Sequence, residues 1–347
     1  MADKTVKTLA LLLLGAILGC GSGGCAPSPK TQTRIRVAVV PKRESNEYWD
    51  VLHAGALGGV RQLREKGVLV DLVWAGTETE GDNAGQIRLI ERFAREHVDA
   101  LIVSPQNRDL MAAAVNKAIQ SGVPVIAFDS EVNTPMVSCY VGTDNYSAGE
   151  KAAEHIAGLL KGKGRVLMQR YLPGSGSSME REAGFANALR ANHREVTALP
   201  WNTYAGATRE EALNVCRQAL KKWGSQADAI LVSTQFAGNE MLRAMMEAGL
   251  AGRIPLVVFD TNPFLVSALH DGKVQALVVQ SEWEMGRKAV EIASQCVLGH
   301  AVARVQHTPV TVVTRDLMKD PAMHALIEPP VAHPSMLKSV SDLLRLQ

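Results

Sequence analysis

The chain has 347 residues, 46% hydrophobic and 21% charged, which is globular composition with room for two domains of ordinary size. Its 37 basic side chains nearly balance 35 acidic ones, a net charge of +2, so neither a nucleic acid nor a membrane surface is implied as a partner. Aromatic residues are only 5% of the chain, so a local aromatic pair carries information.

The first segment reads as an export signal. Lys4 and Lys7 precede an apolar run over 9–19 that is too short for a permanent membrane span. The run closes on Ile17-Leu18-Gly19-Cys20, which resembles the lipobox of bacterial lipoproteins. That resemblance implies a signal peptide over 1–19, Cys20 as the lipid-carrying first residue, and a Ser/Gly/Pro-rich tether over 20–33. An ordinary secretory signal is the alternative, and both readings export the protein. Cys25 lies in the tether and Cys139, Cys216 and Cys296 in the body, with no Cys-x-x-Cys or Cys/His spacing, so no metal and no cofactor is expected. Cys139, in an apolar run, reads as a small buried hydrophobe.

From residue 34 on, apolar runs alternate with amphipathic stretches. Strands are predicted at 35–40, 68–74, 99–103, 123–128, 136–141, 164–169, 195–199, 228–233, 254–259 and 274–280. Helices are predicted at 50–66, 83–97, 109–121, 145–161, 179–192, 208–222, 238–249 and 284–298. This alternation predicts an α/β fold with parallel sheets, and the continuous apolar runs predict sheets covered on both faces. The pattern also repeats. RVAVV at 36 is echoed by RVLMQ at 165, DALIVSPQ at 99 by DAILVSTQ at 228, and VPVIAFDS at 123 by IPLVVFDT at 254. Two similar doubly wound lobes are therefore expected.

In open α/β sheets, ligands bind beyond the carboxyl ends of the strands. The polar and aromatic residues there are Asn46, Tyr48, Trp49, Ser104 and Asp129 in the first half. In the second they are Arg181, Thr234 or Gln235, Asp260 and Gln280. Aromatic rings at a polar cleft suit the C–H face of a sugar, while carboxylate, amide and guanidinium groups take its hydroxyls. Several of these residues also have a plainer reading. Tyr48 and Trp49 can cap the core, Asp129 and Asp260 can be helix N-caps or turn formers, Arg181 can pair with Glu180 or Glu182, and Ser104 and Thr234 can bond the backbone. The GSGSS stretch at 174–178 lacks phosphate-loop spacing and reads as a mobile ligand loop.

These motifs, in this order, resemble the type I periplasmic sugar-binding proteins of ABC importers, the ribose-binding-like group, which share their lobes with lactose-repressor-type regulators. The carriers are SNEYWDVLHAGA, VPVIAFDS, GSGSSMEREAGF, LVVFDTNP and DGKVQALVVQSEWEMGRKAVE. The resemblance implies a periplasmic binding protein-like I fold with three crossings, near 141–144, 279–282 and 308–311, and hinge closure. It implies a first lobe over 34–142 plus 281–309 and a second over 143–280 plus 310–318. A C-terminal extension over 319–347 follows, with an extended stretch and a short helix at 336–346. Two departures stand out: Ser104 where the ribose binder has Asn, and Ser130 where it has Arg, which removes a charged fork and opens space. The second-lobe aromatic would be Tyr204 or Trp201. The implied role is capture of a monosaccharide or related polyol, without chemistry, for an ABC permease, by a monomer held to a bacterial membrane only through its lipid. A sugar sensor for a receptor kinase is the alternative. An exported carbohydrate-active enzyme using Asp129 and Asp260 is a further one. A DNA-binding regulator is not expected, because export signal and tether occupy 1–34.

Overall fold

The computed structural model describes residues 33–327. The signal peptide, Cys20, the tether up to residue 32 and the helix expected at 336–346 lie outside the described residues. The strands in chain order are β1 (Thr33–Val40), β2 (Val68–Trp74), β3 (Ala100–Val103), β4 (Val125–Phe128), β5 (Cys139–Thr143) and β6 (Gly164–Gln169). Then come β7 (Val196–Ala198), β8 (Ala229–Val232), β9 (Leu256–Phe259), β10 (Ala276–Gln280), β11 (Val305–Thr308) and β12 (Val310–Thr314). The helices are α1 (Glu47–Glu65), α2 (Asn83–Arg95), α3 (Ala112–Gln120), α4 (Asn145–Leu159) and α5 (Gly176–Asn192), then α6 (Arg209–Trp223), α7 (Gln235–Glu247), α8 (Pro263–His270), α9 (Glu282–Val297) and α10 (Pro321–Ile327).

Two six-stranded sheets result, ordered β11-β5-β4-β3-β1-β2 and β12-β10-β9-β8-β6-β7. All pairings are parallel except β10 with β12. The interior strands β3, β4, β8 and β9 are buried along their whole length because helices cover both faces. In β1, Val37 and Val39 face the core under α1 and α9, while Ala38 and Val40 face the core under α2 and α3. The second sheet is covered by α4 and α5 on one face and by α6, α7 and α8 on the other.

One helix pair in each lobe meets through glycine. A Cβ on Gly286 of α9 would lie 2.0 Å from the carbonyl oxygen of Leu52 in α1; one on Gly184 of α5 would lie 2.0 Å from that of Tyr146 in α4. Backbones can approach so closely only where no side chain intervenes.

Several elements differ from their sequence-based placement. Helix α1 begins at Glu47, because Asn46 accepts a hydrogen bond from the Trp49 N–H and caps it. Helix α7 begins at Gln235 for the same reason, capped by Thr234. The strand expected at 136–141 runs instead from Cys139 to Thr143. The GSGSS stretch is loop only in part: Gly174 turns with φ +80° and Gly176 already opens α5. Helix α8 and strands β11 and β12 went unpredicted. They are short, and β11 and β12 lie at the outer ends of their sheets, where burial writes only a weak apolar pattern. Helix α10 places Ile327 in the core of the second lobe.

Candidate functional site

The two lobes present matching residues to each other. Asp129 follows β4 and Asp260 follows β9, and each N–H bonds to the neighbouring strand, at Val141 and Val278. Both take left-handed backbone, φ +61° and +68°. Aspartate tolerates this conformation better than most residues, and holding it at two buried strand ends costs free energy. The reward is orientation: both carboxylates point into the space between the sheets.

Each carboxylate meets a cation. Lys42, just past β1, reaches Asp129 Oδ2 at 3.0 Å with its Nζ, and Arg181 of α5 reaches Asp260 Oδ2 at 3.4 Å. Asp129 also accepts from Ser104 Oγ at 2.6 Å and from the Tyr48 hydroxyl at 2.6 Å. Burial pushes its carboxyl up, but the Lys42 charge and these bonds outweigh burial and hold it below the usual carboxylate range. For Asp260 burial wins: despite Arg181 and a 2.7 Å bond from Gln280 Nε2, its carboxyl sits above the usual range. Arg181 is further fixed by Asn145 Oδ1 and the Ser233 carbonyl, and lies 4.6 Å above the Phe259 ring.

These groups surround a partly open cavity between the sheets. Its wall includes Lys42, Asn46, Tyr48, Trp49, Glu80 and Asp129 from the first lobe. Tyr171, Ser177, Arg181, Thr234, Gln235, Phe236 and Asp260 come from the second. The lobes touch across it. Gln280 Nε2 donates to the Tyr48 hydroxyl at 3.2 Å, Tyr171 donates to Glu80 at 2.7 Å, and Ser130 donates to Ser177 at 2.8 Å. Arg108 pairs with Glu180 at 2.9 Å, and its N–H bonds to the Gly174 carbonyl at 2.9 Å. Gly174 takes φ +80°, which favours glycine, and a Cβ there would lie 2.0 Å from Asn107 Nδ2 and push that side chain aside.

Eight of the ten residues singled out from sequence line this cavity: Asn46, Tyr48, Trp49, Asp129, Arg181, Thr234, Gln235 and Asp260. Ser104 and Gln280 do not. Both are fully buried behind the wall and orient the two carboxylates. Trp49 plays two parts, since it is 2% exposed in the first-lobe core and also edges the cavity. Thr234 and Gln235 need no choice between them, as the start of α7 brings both to the wall. Arg181 does not pair with its neighbours, because Glu180 goes to Arg108 and Glu182 to Arg170.

Sequence reasoning missed Lys42, Glu80 and Phe236, while Tyr171 and Ser177 lie in the YLPGSGSSMER loop that it placed at the site without singling them out. Lys42 carried a signal, a lysine two residues past the first strand. It corrects the reading of Ser130: the charge lost there is resupplied from another loop, as Lys42 Nζ donates to Ser130 Oγ at 2.7 Å and fills the expected space. The second-lobe aromatics are Tyr171 and Phe236, edge-on to each other at 5.9 Å. Tyr204 instead lies beneath Arg170, and Trp201 bonds to Gln169. Among the described residues, no cluster of His, Cys, Asp and Glu could hold a metal ion.

Comparison with known proteins agrees with this architecture. Residues 37–301 match the family model described as periplasmic binding protein domain. The D-ribose/D-allose-binding protein of Pseudomonas aeruginosa is 25% identical, over 90% of this chain and 99% of that protein. A solute-binding protein of an ABC transporter from Agrobacterium vitis, solved with bound D-fucose, superposes with a TM-score of 0.77 at 26% identity, covering 84% of this chain and 99% of that one. A carbohydrate transporter solute-binding protein from Agrobacterium radiobacter, solved with D-arabinose, gives 0.77 at 25% identity, covering 85% and 99%. The chain thus belongs to the periplasmic binding protein family, as a type I member of the solute-binding proteins of ABC importers.

Proposed function

We propose that this protein captures a monosaccharide or related polyol between its lobes and delivers it to an ABC-type permease, without chemical conversion. The observation that carries the reading is the convergence of Asp129 and Asp260, each with its own cation, on one cavity lined from both sheets. The sugars named for its relatives point the same way. Asp260 and the remaining lone pair of Asp129 accept ligand hydroxyls, and Arg181, Asn46, Thr234 and Gln235 supply further polar contacts. Tyr48 and the edge of Trp49 pack on the apolar face of the ring. A hydroxyl missing from the ligand leaves a buried protein group unpaired, and selectivity follows from that penalty.

The lobes turn about the three crossings, near 141–144, 279–282 and 308–311, and close on the ligand. Residues 1–19 direct export, and Cys20 carries the lipid that anchors a monomer to a bacterial membrane. Lipid anchoring is tested by labelled fatty acid incorporation during expression in a bacterium; a label retained by Cys20→Ser removes the anchor.

Capture is tested by thermal unfolding against pentoses, hexoses, deoxysugars and polyols. A ligand at a thousandfold over its dissociation constant adds about 4 kcal/mol of stability. One sugar should raise the melting temperature by several degrees, and Asp260→Ala should abolish the rise. A flat response across the panel refutes the reading.

A further inference from the structure

The cavity holds a third carboxylate that differs from the other two. Glu80 lies in the loop between β2 and α2. Its Oε1 accepts from Trp49 Nε1 at 2.9 Å and its Oε2 from the Tyr171 hydroxyl at 2.7 Å. Trp49 belongs to the first lobe and Tyr171 to the second, so both lobes together fix its orientation. Asp129 already accepts three donors, one of them a buried ammonium, and Asp260 meets Arg181 and Gln280. Among the described residues, no lysine or arginine lies within ion-pair distance of Glu80. Its two donors are neutral and use one lone pair on each oxygen. A carboxylate has about four such positions, so about two remain, on a group that is already oriented and faces the cavity.

We propose that Glu80 is a further ligand-binding and specificity-determining residue, accepting hydrogen bonds from ligand hydroxyls through the lone pairs that Trp49 and Tyr171 leave free. The site then reads donors on three sides of a polyhydroxylated ring, from Asp129, Asp260 and Glu80. A carboxylate on the third side penalises any ring that turns a C–H or an acceptor toward it. The inference rests on the sugar-capture reading above. The competing role for Glu80 is a structural peg between Trp49 and Tyr171.

The test is isothermal titration of the wild-type chain and Glu80→Gln with D-ribose, D-allose, D-arabinose, D-fucose and D-galactose, alongside ligand-free melting curves. For whichever sugar the wild type binds, Glu80→Gln should weaken binding by about tenfold to a hundredfold, the range for a hydrogen bond to a charged group. Its ligand-free melting temperature should stay unchanged. Titrating the monodeoxy derivatives of that sugar completes a cycle: removal of the hydroxyl that meets Glu80 should collapse the difference between the two proteins. Equal binding by both proteins overturns the proposal. So does a loss that is the same for every monodeoxy derivative and comes with a lowered ligand-free melting temperature, the mark of a peg. If Glu80→Gln does not fold, Tyr171→Phe, which loosens the carboxylate without removing it, is compared in the same cycle with the same expected collapse. If the wild type binds none of the five sugars, the capture reading fails and this inference with it; binding by the wild type with no selective loss in the variant sinks this inference alone.

Discussion

Lys42 offers the sharpest test of how the cavity is held. Its side chain is 6% exposed, and its ammonium contacts Asp129 Oδ2 at 3.0 Å, Ser130 Oγ at 2.7 Å and Ser177 Oγ at 3.3 Å. Lys42→Met keeps most of the stem and deletes the charge. Breaking a buried pair by removing one partner costs about 3–5 kcal/mol, because the other charge stays buried. Here Ser104 and Tyr48 still bond to Asp129, which places the loss near the lower end, about 3 kcal/mol. For lobes this size that is a fall of roughly 6–12 °C in melting temperature. The loss should depend on pH, with a sign that follows from Asp129. In the wild type its folded carboxyl is held below its unfolded value, so its stabilisation is present above the unfolded value and disappears as pH falls through the folded one. Without Lys42, burial is opposed only by the Ser104 and Tyr48 bonds, and the folded value should rise from its wild-type position. The variant is then penalised at neutral pH and relieved as the carboxyl takes up a proton. Melting curves from pH 7 to pH 4 should show the gap narrowing, and Lys42→Met with Asp129→Asn should recover most of the loss. A gap that stays constant with pH, or a double variant as weak as the sum of the singles, refutes an unpaired Asp129 charge as the cause.

Gly286→Ala should cost about 1–3 kcal/mol in urea unfolding, because its Cβ would sit 2.0 Å from the Leu52 carbonyl, and Gly184→Ala should cost the same in the other lobe. Asn46→Ala removes the cap of α1 and should cost about 1 kcal/mol by the same measurement. Glu282 is 5% exposed, and burial, with Asp260 nearby, pushes its carboxyl well above the usual range. A raised folded value means that its contribution is favourable below the unfolded value and lost as pH rises. Glu282→Gln should therefore raise the melting temperature at pH 7 and change it little at pH 4; an equal shift at both would rule out titration of Glu282.

Much of the architecture was legible because buried parallel strands write themselves as unbroken apolar runs. The echo of VPVIAFDS in IPLVVFDT marked two equivalent strand ends, and the two aspartates that follow them share one backbone conformation. Asn46 and Thr234 carried local signals too, though as helix caps they shift the starts of α1 and α7. Helix α8 and the outer strands β11 and β12 were not legible, since short elements with half-exposed faces leave little periodicity.

The sequence by itself determined the class of sheet, the repetition of the lobe and the strand ends where polar groups would gather, because each of these is fixed by local pattern. Tertiary structure alone decided what those groups do to one another. Lys42 lies 87 residues before the carboxylate it neutralises, and Glu80 lies 91 residues from Tyr171. Ser104 and Gln280 look like wall residues in sequence and stand behind the wall in space. Pairings of this kind depend on long-range approach of side chains from separate loops, which no local periodicity records.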